Sequence, residues 1–181
     1  MRCHLLAILV SLLLMLGGCS SRPYKPVEGL DVDTVRQKME TDLHMVFDQP
    51  GPVKSWNLAT GKVKLGEGVE LVCDIAYYDD GKVWSVGYTV DWTQKAMDSQ
   101  FQLDPRPFHD IAKRFLPYCA ASVRYGDVDP VAAKAFVEQA LSHTSPFGGE
   151  EYTAGNTRFT VFSFPDKGFD GFDVENAATG K

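Results

Sequence analysis

The cysteines are the residues of this chain whose chemistry is easiest to infer from their positions. There are four, Cys3, Cys19, Cys73 and Cys119. A thiol can be acylated or alkylated, can bind a metal, or can pair with a second thiol. Cys19 directly follows an apolar run, whereas Cys73 and Cys119 lie 46 positions apart in the body of the chain. The positions therefore suggest attachment at Cys19 and pairing of the other two.

The first nineteen residues have the organisation of an export signal. Arg2 gives a positive start, the run from Leu5 to Leu16 is apolar except for Ser11, and Leu16-Gly17-Gly18-Cys19 closes it. As a helix such a run spans about 18 Å, which is too short for a hydrocarbon core of about 30 Å. The pattern predicts a signal that is removed rather than a segment that spans a membrane.

The tetrapeptide Leu16-Gly17-Gly18-Cys19 resembles the lipobox of bacterial lipoproteins, although Gly17 stands where Ala, Ser or Thr is commoner. The resemblance implies that residues 1–18 are a signal peptide and that Cys19 becomes a lipidated N-terminus, with palmitate among the acyl chains. Ser20 is compatible with delivery to the outer membrane, facing the periplasm, because an Asp there tends to retain such proteins in the inner membrane. An uncleaved anchor and a secretory signal with a chance cysteine are the alternatives.

Charge and composition narrow the classes of partner. The chain has 18 basic and 24 acidic residues, and 44% of its residues are hydrophobic. Loss of residues 1–18 removes only Arg2 among them, so the net charge changes from −6 to −7. Such a surface repels nucleic acid and anionic lipid head groups. We therefore expect no nucleic-acid role, and we expect membrane attachment through the lipid on Cys19.

Spacing of apolar residues predicts one domain of the α+β class. We expect an antiparallel meander sheet with an N-terminal helix, two middle helices and a C-terminal hairpin. The predicted divisions are a signal peptide at 1–18, a lipidated cysteine and flexible tether at 19–30, a single α+β periplasmic domain at 31–176, and a frayed tail at 177–181.

The clearest local prediction is a hairpin from Val69 to Trp92. Apolar residues alternate along both arms, and Asp80-Gly81 between them is a strong turn signal. A turn there pairs residues whose numbers sum to 161, which places Tyr77 opposite Trp84 and Cys73 opposite Tyr88. A slip of one residue would turn one apolar side into water, so turn and pattern select one register.

The other elements are predicted from caps, prolines and glycines. The expected elements are a helix from Asp31 or Asp33 to about Phe47, a hairpin turning at Thr60-Gly61 that pairs Trp56 with Leu65, a helix from Asp104-Pro105 that ends before Pro117, a helix from Asp129-Pro130 to about Ser142, a loop from Ser145 to Gly149, and a hairpin of Arg158–Phe164 with Phe169–Val174.

Cys73 and Cys119 are an even pair in a compartment that permits disulfides, so we predict that they are bridged. The closed loop of 46 residues would stabilise the fold by roughly 4 kcal/mol on the chain-entropy estimate. The alternative is two buried thiols that pack as small hydrophobic groups.

Short catalytic signatures are missing from the sequence. It contains no Ser-x-x-Lys, Gly-x-Ser-x-Gly or His-Glu-x-x-His motif. If the protein is an enzyme, its site forms only in the fold, and its candidate residues are Asp74, Asp91, His109 and Glu150. A calcium site at Asp166, Asp170 and Asp173 lacks the EF-hand spacing, so turn-forming aspartates are the preferred interpretation. We predict no cofactor and no metal site.

Aromatic residues give one further hypothesis. Trp56, Trp84, Trp92, Tyr77 and Tyr88 could share one sheet face, either as covered core or as a partly open binding surface. Together these observations favour a non-enzymatic, membrane-anchored envelope module that binds a protein or glycan. The alternatives are a periplasmic hydrolase or transferase and a structural subunit of an assembly complex.

Overall fold

The computed structural model describes residues 24–53, 55–92, 105–143 and 146–178. Within them the chain forms three α-helices and one antiparallel sheet of eight strands, which confirms the α+β class. The elements are α1 (Val32–Leu43), β1 (Val46–Phe47), β2 (Gly51–Val53), β3 (Trp56–Gly66), β4 (Val69–Tyr77), β5 (Val83–Trp92), α2 (Pro105–Ser122), α3 (Pro130–Ala140), β6 (Phe147–Ala154), β7 (Thr157–Phe164) and β8 (Phe169–Asn176). The strand order is β1-β3-β4-β5-β8-β7-β6, with β2 also beside β3.

Helix α1 begins at the predicted cap and ends earlier than predicted. The Asp31 carboxylate accepts from the Thr34 backbone N–H at 2.8 Å and from its hydroxyl at 2.6 Å. His44 ends the helix in the left-handed region at φ 54°. The predicted end at about Phe47 is therefore wrong, because Val46 and Phe47 leave the helix and pair with β3.

The hairpin of β4 and β5 confirms the predicted register, with Val69 opposite Trp92, Cys73 opposite Tyr88 and Ala76 opposite Ser85. The predicted pairing of Tyr77 with Trp84 is wrong, because a bulge sets Tyr77 opposite Val83. A bulge adds one residue to one strand, and here it occurs next to the turn.

The hairpin predicted around Thr60-Gly61 is wrong, because residues 56–66 form the single strand β3. The chain turns instead after Gly66, where Gly68 adopts φ +72°. Gly61 pairs with Cys73, and a Cβ added at Gly61 would lie 2.6 Å from the Phe47 ring. Gly61 therefore leaves room for the Phe47 ring of the neighbouring strand β1, and it is not a turn residue.

Helix α2 continues through Pro117 to Ser122, so the predicted stop before Pro117 is wrong. Pro117 lacks the N–H that would bond one turn back, but the apolar face continues beyond it through Cys119 and Ala120, both completely buried. Helix α3 begins where predicted, since the Asp129 carboxylate accepts from the N–H groups of Val131 and Ala132 at 2.9 and 3.2 Å.

The C-terminal hairpin is confirmed and is larger than predicted. Strands β7 and β8 pair from Thr157–Asn176 to Phe164–Phe169 around a short 3₁₀ turn. Strand β6 was missed, because its first three residues were predicted as loop and the others as no element, and it pairs with β7. Strand β8 pairs with β5, so the C-terminal strands complete the same sheet as the central hairpin.

All three helices contribute to one core cluster with the sheet residues that include Leu71, Cys73 and Ile75. The predicted tether is wrong for its last residues, because Val27 and Leu30 are buried in this cluster. The Val27 N–H donates to the Val83 carbonyl at 2.8 Å, and the Asn176 side chain donates to the Pro26 carbonyl at 2.9 Å. The described domain therefore includes residues that lie before Asp31. No helix among the described residues has the length and apolar character needed to cross a membrane.

Candidate functional site

Cys19, the predicted site of lipid attachment, lies outside the described residues, so lipidation stays a prediction. Cys73 and Cys119 are free thiols in this structure and are completely buried. Burial raises the pKa of both thiols, and the nearby Cys119 raises that of Cys73 further. Because the thiolate is the reactive form, neither cysteine is a nucleophile here. The structure brings the two into one region of the core, and their bridging stays a prediction.

Two tyrosines lie with these thiols in the core. Tyr88 pairs with Cys73 across the hairpin. The Tyr125 hydroxyl lies 3.0 Å from the Tyr88 hydroxyl and donates to the Cys119 carbonyl oxygen at 3.2 Å. Burial raises the pKa of both tyrosines well above the usual value. This buried polar group is satisfied internally and links α2 to the sheet.

His109 is part of a second internal network. Its Nδ1 lies 2.7 Å from Asp170 Oδ2, and its Nε2 lies 3.0 Å from the Leu141 carbonyl oxygen. The Ser163 hydroxyl and the Phe164 N–H donate to the other Asp170 oxygen at 2.7 and 3.1 Å. Asp170 is completely buried. The network joins α2, the end of α3, β7 and β8.

The arrangement has the residue types of a Ser-His-Asp triad but not its order. In a triad the histidine stands between the hydroxyl and the carboxylate and takes the proton of the hydroxyl. Here Ser163 donates to Asp170 directly, and the second nitrogen of His109 faces the Leu141 carbonyl. Because a carbonyl oxygen only accepts, Nε2 carries a hydrogen, and the ring cannot act as a base at that atom. We therefore assign this network a structural role, in which its hydrogen bonds hold the two helices on the strands.

The four residues considered for an enzyme do not form one site. His109 lies on the helix-covered face, whereas Asp74 lies on the opposite face. Asp91 shares that face with Asp74 but pairs with Glu70, at the far end of the hairpin. Glu150 lies on β6 and pairs with His143 at 3.0 Å. In the part of the chain that the structure describes, these four side chains are therefore separated from one another.

Two of the three aspartates of the calcium alternative, Asp170 and Asp173, do not lie on one face of the sheet. Asp170 and Asp173 pair with Val90 and Gly87 on β5, and an odd separation along a strand places two side chains on opposite faces. The carboxylate of Asp170 is also bonded to His109. Among the described residues, no group of three or more histidine, cysteine, aspartate or glutamate side chains is placed to hold a metal ion.

The sheet has a second face, opposite the helices, which we call the open face. It consists of the side chains that alternate with the core residues along the strands. Its central row has one residue on each of six neighbouring strands. In the order β3, β4, β5, β8, β7, β6 these residues are Thr60, Asp74, Gly87, Asp173, Thr160 and Glu151. The sequence shows the polar positions that alternate with apolar ones in each strand, but it does not show that they line up across the six strands.

The centre of the open face is a gap between two carboxylates. Gly87 lies between Asp74 and Asp173 and has no side chain to fill the row. Asp173 leans into this space, because a Cβ added at Gly87 would lie 2.7 Å from Asp173 Oδ1. Asp74 accepts a hydrogen bond from the Thr60 hydroxyl at 2.6 Å.

Surrounding protein raises the pKa of Asp173 to about 7, and the carboxylates of Glu175 and Asp74 add to the effect. Burial also raises the pKa of Asp74, and the Thr60 hydroxyl and Lys62 oppose that change. Both side chains are exposed by accessible area, although strands flank them on both sides. Because water still reaches the two groups, ionising them costs less than ionising a fully enclosed carboxylate.

Aromatic residues occupy both ends of the open face. At one end Tyr24 stacks on Trp84 with ring centroids 4.2 Å apart, and Trp56 meets Trp84 edge-on at 5.3 Å. At the other end a Cβ added at Gly171 would lie 2.7 Å from Phe162, so this ring reaches across β8.

The predicted common aromatic face is wrong. Tyr88 is completely buried in the core, and Trp92 contacts Phe108 of α2 at 5.2 Å. Trp56 and Trp84 lie with Tyr24 on the opposite side of the sheet. The bulge beside Tyr77 contributes to this separation, because it changes the alternation of β5 at Trp84.

The chemistry available on the open face is recognition by charge, hydrogen bonds and ring contacts. No protein-family model, no curated protein and no solved structure matches this chain significantly.

Proposed function

We propose that this chain is a bacterial envelope lipoprotein, anchored through a lipid on Cys19, whose α+β domain acts by binding a partner on the open face. The proposed location is the outer membrane, with the domain in the periplasm. The anchor is supported by the lipobox-like Leu16-Gly17-Gly18-Cys19 and by Ser20.

The observation that carries the binding proposal is the combination of an enclosed core with an accessible row of polar residues across the open face. His109, Ser163 and Asp170 are engaged with one another or with backbone groups. The two core cysteines are enclosed, so the reactive side chains of the core are not presented to a substrate. Asp74 and Asp173, in contrast, are exposed at the middle of six strands.

The enzyme alternative has less support. The groove beside α1 has a volume of about 460 Å³ and is lined by Thr34, Gln37, Lys38, Thr41, Asp42, Ser122, Val123 and Arg124. Its carboxylate, Asp42, is already bonded to Lys38 at 2.8 Å and accepts from the Tyr118 hydroxyl at 2.5 Å. These bonds lower the pKa of Asp42, which favours a permanently ionised side chain over a proton donor.

Photo-crosslinking in intact cells tests the binding proposal. A photoreactive amino acid placed at Thr160 on the open face should give one dominant adduct with an envelope component. The matched control is Glu138 on the exposed side of α3. We expect the adduct from Thr160 to exceed that from Glu138 at least about fivefold. Equal labelling at both positions, or no adduct at Thr160, would contradict binding on this face.

A further inference from the structure

Charges on the open face are unevenly compensated. Arg158 pairs with Glu175, and Lys62 lies 3.6 Å from Glu70. Among the described residues, no lysine or arginine forms an ion pair with Asp74 or Asp173. These two carboxylates therefore form a negative centre on the open face. Charge complementarity favours a cationic group as the occupant of this centre.

The space around the two carboxylates is shaped by two glycines. Gly87 leaves the position between Asp74 and Asp173 without a side chain. Gly171, the next open-face position on β8, lets the half-exposed Phe162 ring extend across that strand. The Asp173 carboxylate lies over Gly87 on the side of the sheet that Asp74 shares, so a group that approaches from solvent meets both carboxylates and an aromatic ring one position along the sheet.

We infer that this part of the open face, formed by Asp74, Gly87, Asp173 and Phe162, receives an arginine side chain of a protein partner. The inference rests on the proposed function and gives the chemistry of its partner. A guanidinium group is planar and carries five N–H donors, so it can bond two carboxylates together. Its flat face can also lie on an aromatic ring, which a lysine ammonium group does less well.

Tyr24 argues against a glycan at the same face. Sugars stack on open tryptophan rings, but Tyr24 already covers Trp84 at 4.2 Å and is nearly parallel to it, at 14°. The Tyr24 backbone is held by the Tyr78 hydroxyl, which donates to its carbonyl oxygen at 2.7 Å. The tryptophan platform is therefore used inside the protein, and the charged centre remains for the partner.

Arginine binding should release a proton from this centre. The charged groups that act on Asp173 are the carboxylates of Glu175 on β8 and Asp74 on β4, and the other strands carry Arg158 on β7, Glu151 on β6 and Lys62 on β3. With its pKa at about 7, Asp173 is mostly protonated at pH 6 and mostly ionised at pH 8. A cation binds the ionised form, so the affinity should rise by up to about tenfold over this interval.

The test uses the lipidated protein in neutral detergent and the probe peptide acetyl-Ala-Arg-Ala-amide, followed by amide NMR. We expect saturable shifts centred on Gly87, Phe162 and Asp173, with weaker binding of the lysine analogue. A peptide with citrulline in place of arginine is the matched neutral probe and should cause at least about tenfold weaker shifts. Asp173→Asn should abolish the pH dependence, whereas Glu138→Gln should leave it unchanged.

Several results would overturn the inference. These are shifts scattered over all acidic residues, citrulline binding equal to that of arginine, lysine binding equal to that of arginine, or an unchanged pH profile in Asp173→Asn. Crosslinking at Thr160 separates this failure from failure of the proposed function. A strong Thr160 adduct with no arginine binding would reject the arginine and retain the binding face, whereas loss of both would reject both.

Discussion

At the scale of single residues, His109 and Asp170 show how buried polar groups are satisfied in this domain. Both ring nitrogens of His109 are bonded, and both oxygens of Asp170 have partners. Removal of one member of a buried pair leaves the other uncompensated, which costs more than the pair itself contributes. The stability of the domain should therefore depend strongly on this histidine.

We expect His109→Ala to lower the free energy of unfolding by about 3–5 kcal/mol, because one oxygen of Asp170 would stay buried without its partner. Urea denaturation measures the change. The control is His143→Ala, which removes an exposed histidine paired with Glu150 and should cost no more than about 1 kcal/mol. Equal losses in the two variants would contradict the structural role of His109.

Asp173 should make stability depend on pH in the direction opposite to that of most carboxylates. Its pKa is raised to about 7 in the folded protein, so the folded state holds the proton more tightly than the unfolded chain does. The contribution to stability is greatest below the unfolded pKa of about 4 and falls as the pH rises to about 7. Asp173→Asn removes this dependence without changing the size of the side chain.

Thermal unfolding at pH 5 and pH 8 checks this expectation. Asp173→Asn should raise the Tm relative to the wild type by more at pH 8 than at pH 5. Asp110→Asn, on the exposed side of α2, is the control and should shift both temperatures equally. An equal rise in Tm at both pH values would show that ionisation of Asp173 does not destabilise the folded protein.

At the scale of secondary-structure elements, close approach between strands depends on particular glycines. A Cβ added at Gly171 would lie 2.5 Å from the Tyr88 carbonyl oxygen, and this backbone atom cannot turn aside as a side chain can. A Cβ added at Gly66 would meet nothing within 4 Å. The close pairing of β8 with β5 therefore requires a glycine at position 171, whereas position 66 at the end of β3 has room for a side chain.

Gly171→Ala should lower the free energy of unfolding by about 1–3 kcal/mol, because the strands must separate to admit the methyl group. Gly66→Ala is the matched control and should be neutral or slightly stabilising. Chemical denaturation of both variants tests the difference. A neutral Gly171→Ala variant would mean that β5 and β8 are not packed as closely as the structure has them.

Some elements could be predicted from sequence because two signals agreed. The register of the β4–β5 hairpin follows from both Asp80-Gly81 and the apolar alternation, and only the bulge at Tyr77 was missed. Thr60-Gly61 offered one signal only, and the packing of Phe47 on Gly61 decided otherwise. Pro117 likewise predicted the end of a helix from local sequence alone. The helix continues beyond it because the next turn, which includes Cys119, is buried in the core.

The row of polar residues across the open face could not be predicted from the sequence, for a different reason. Asp74 and Asp173 are far apart in sequence, and they face each other only because β8 pairs with β5. Nothing local to either residue indicates that pairing. The polar side of each strand was evident, but the row across six strands is a property of the strand order.

At the scale of the whole molecule, the proposed function requires both a lipid anchor and a binding domain. The described part of the chain begins at Tyr24, five positions after Cys19 in the sequence, and Tyr24 packs against Trp84 at one end of the open face. With the proposed lipid on Cys19, only residues 20–23 would separate the lipidated residue from this end of the domain. At least two acyl chains are needed, since one chain gives only marginal membrane binding.

Mass spectrometry of the N-terminal peptide of the purified protein tests the central claim most directly. Recovery of a peptide that begins at Cys19 and carries the mass of attached acyl chains is the result the account predicts. Cys19→Ser should abolish that species, whereas Cys3→Ser should leave it intact because Cys3 is removed with the signal. A protein that retains Met1, or a Cys19 that carries no lipid, would contradict the anchor and the location that depends on it.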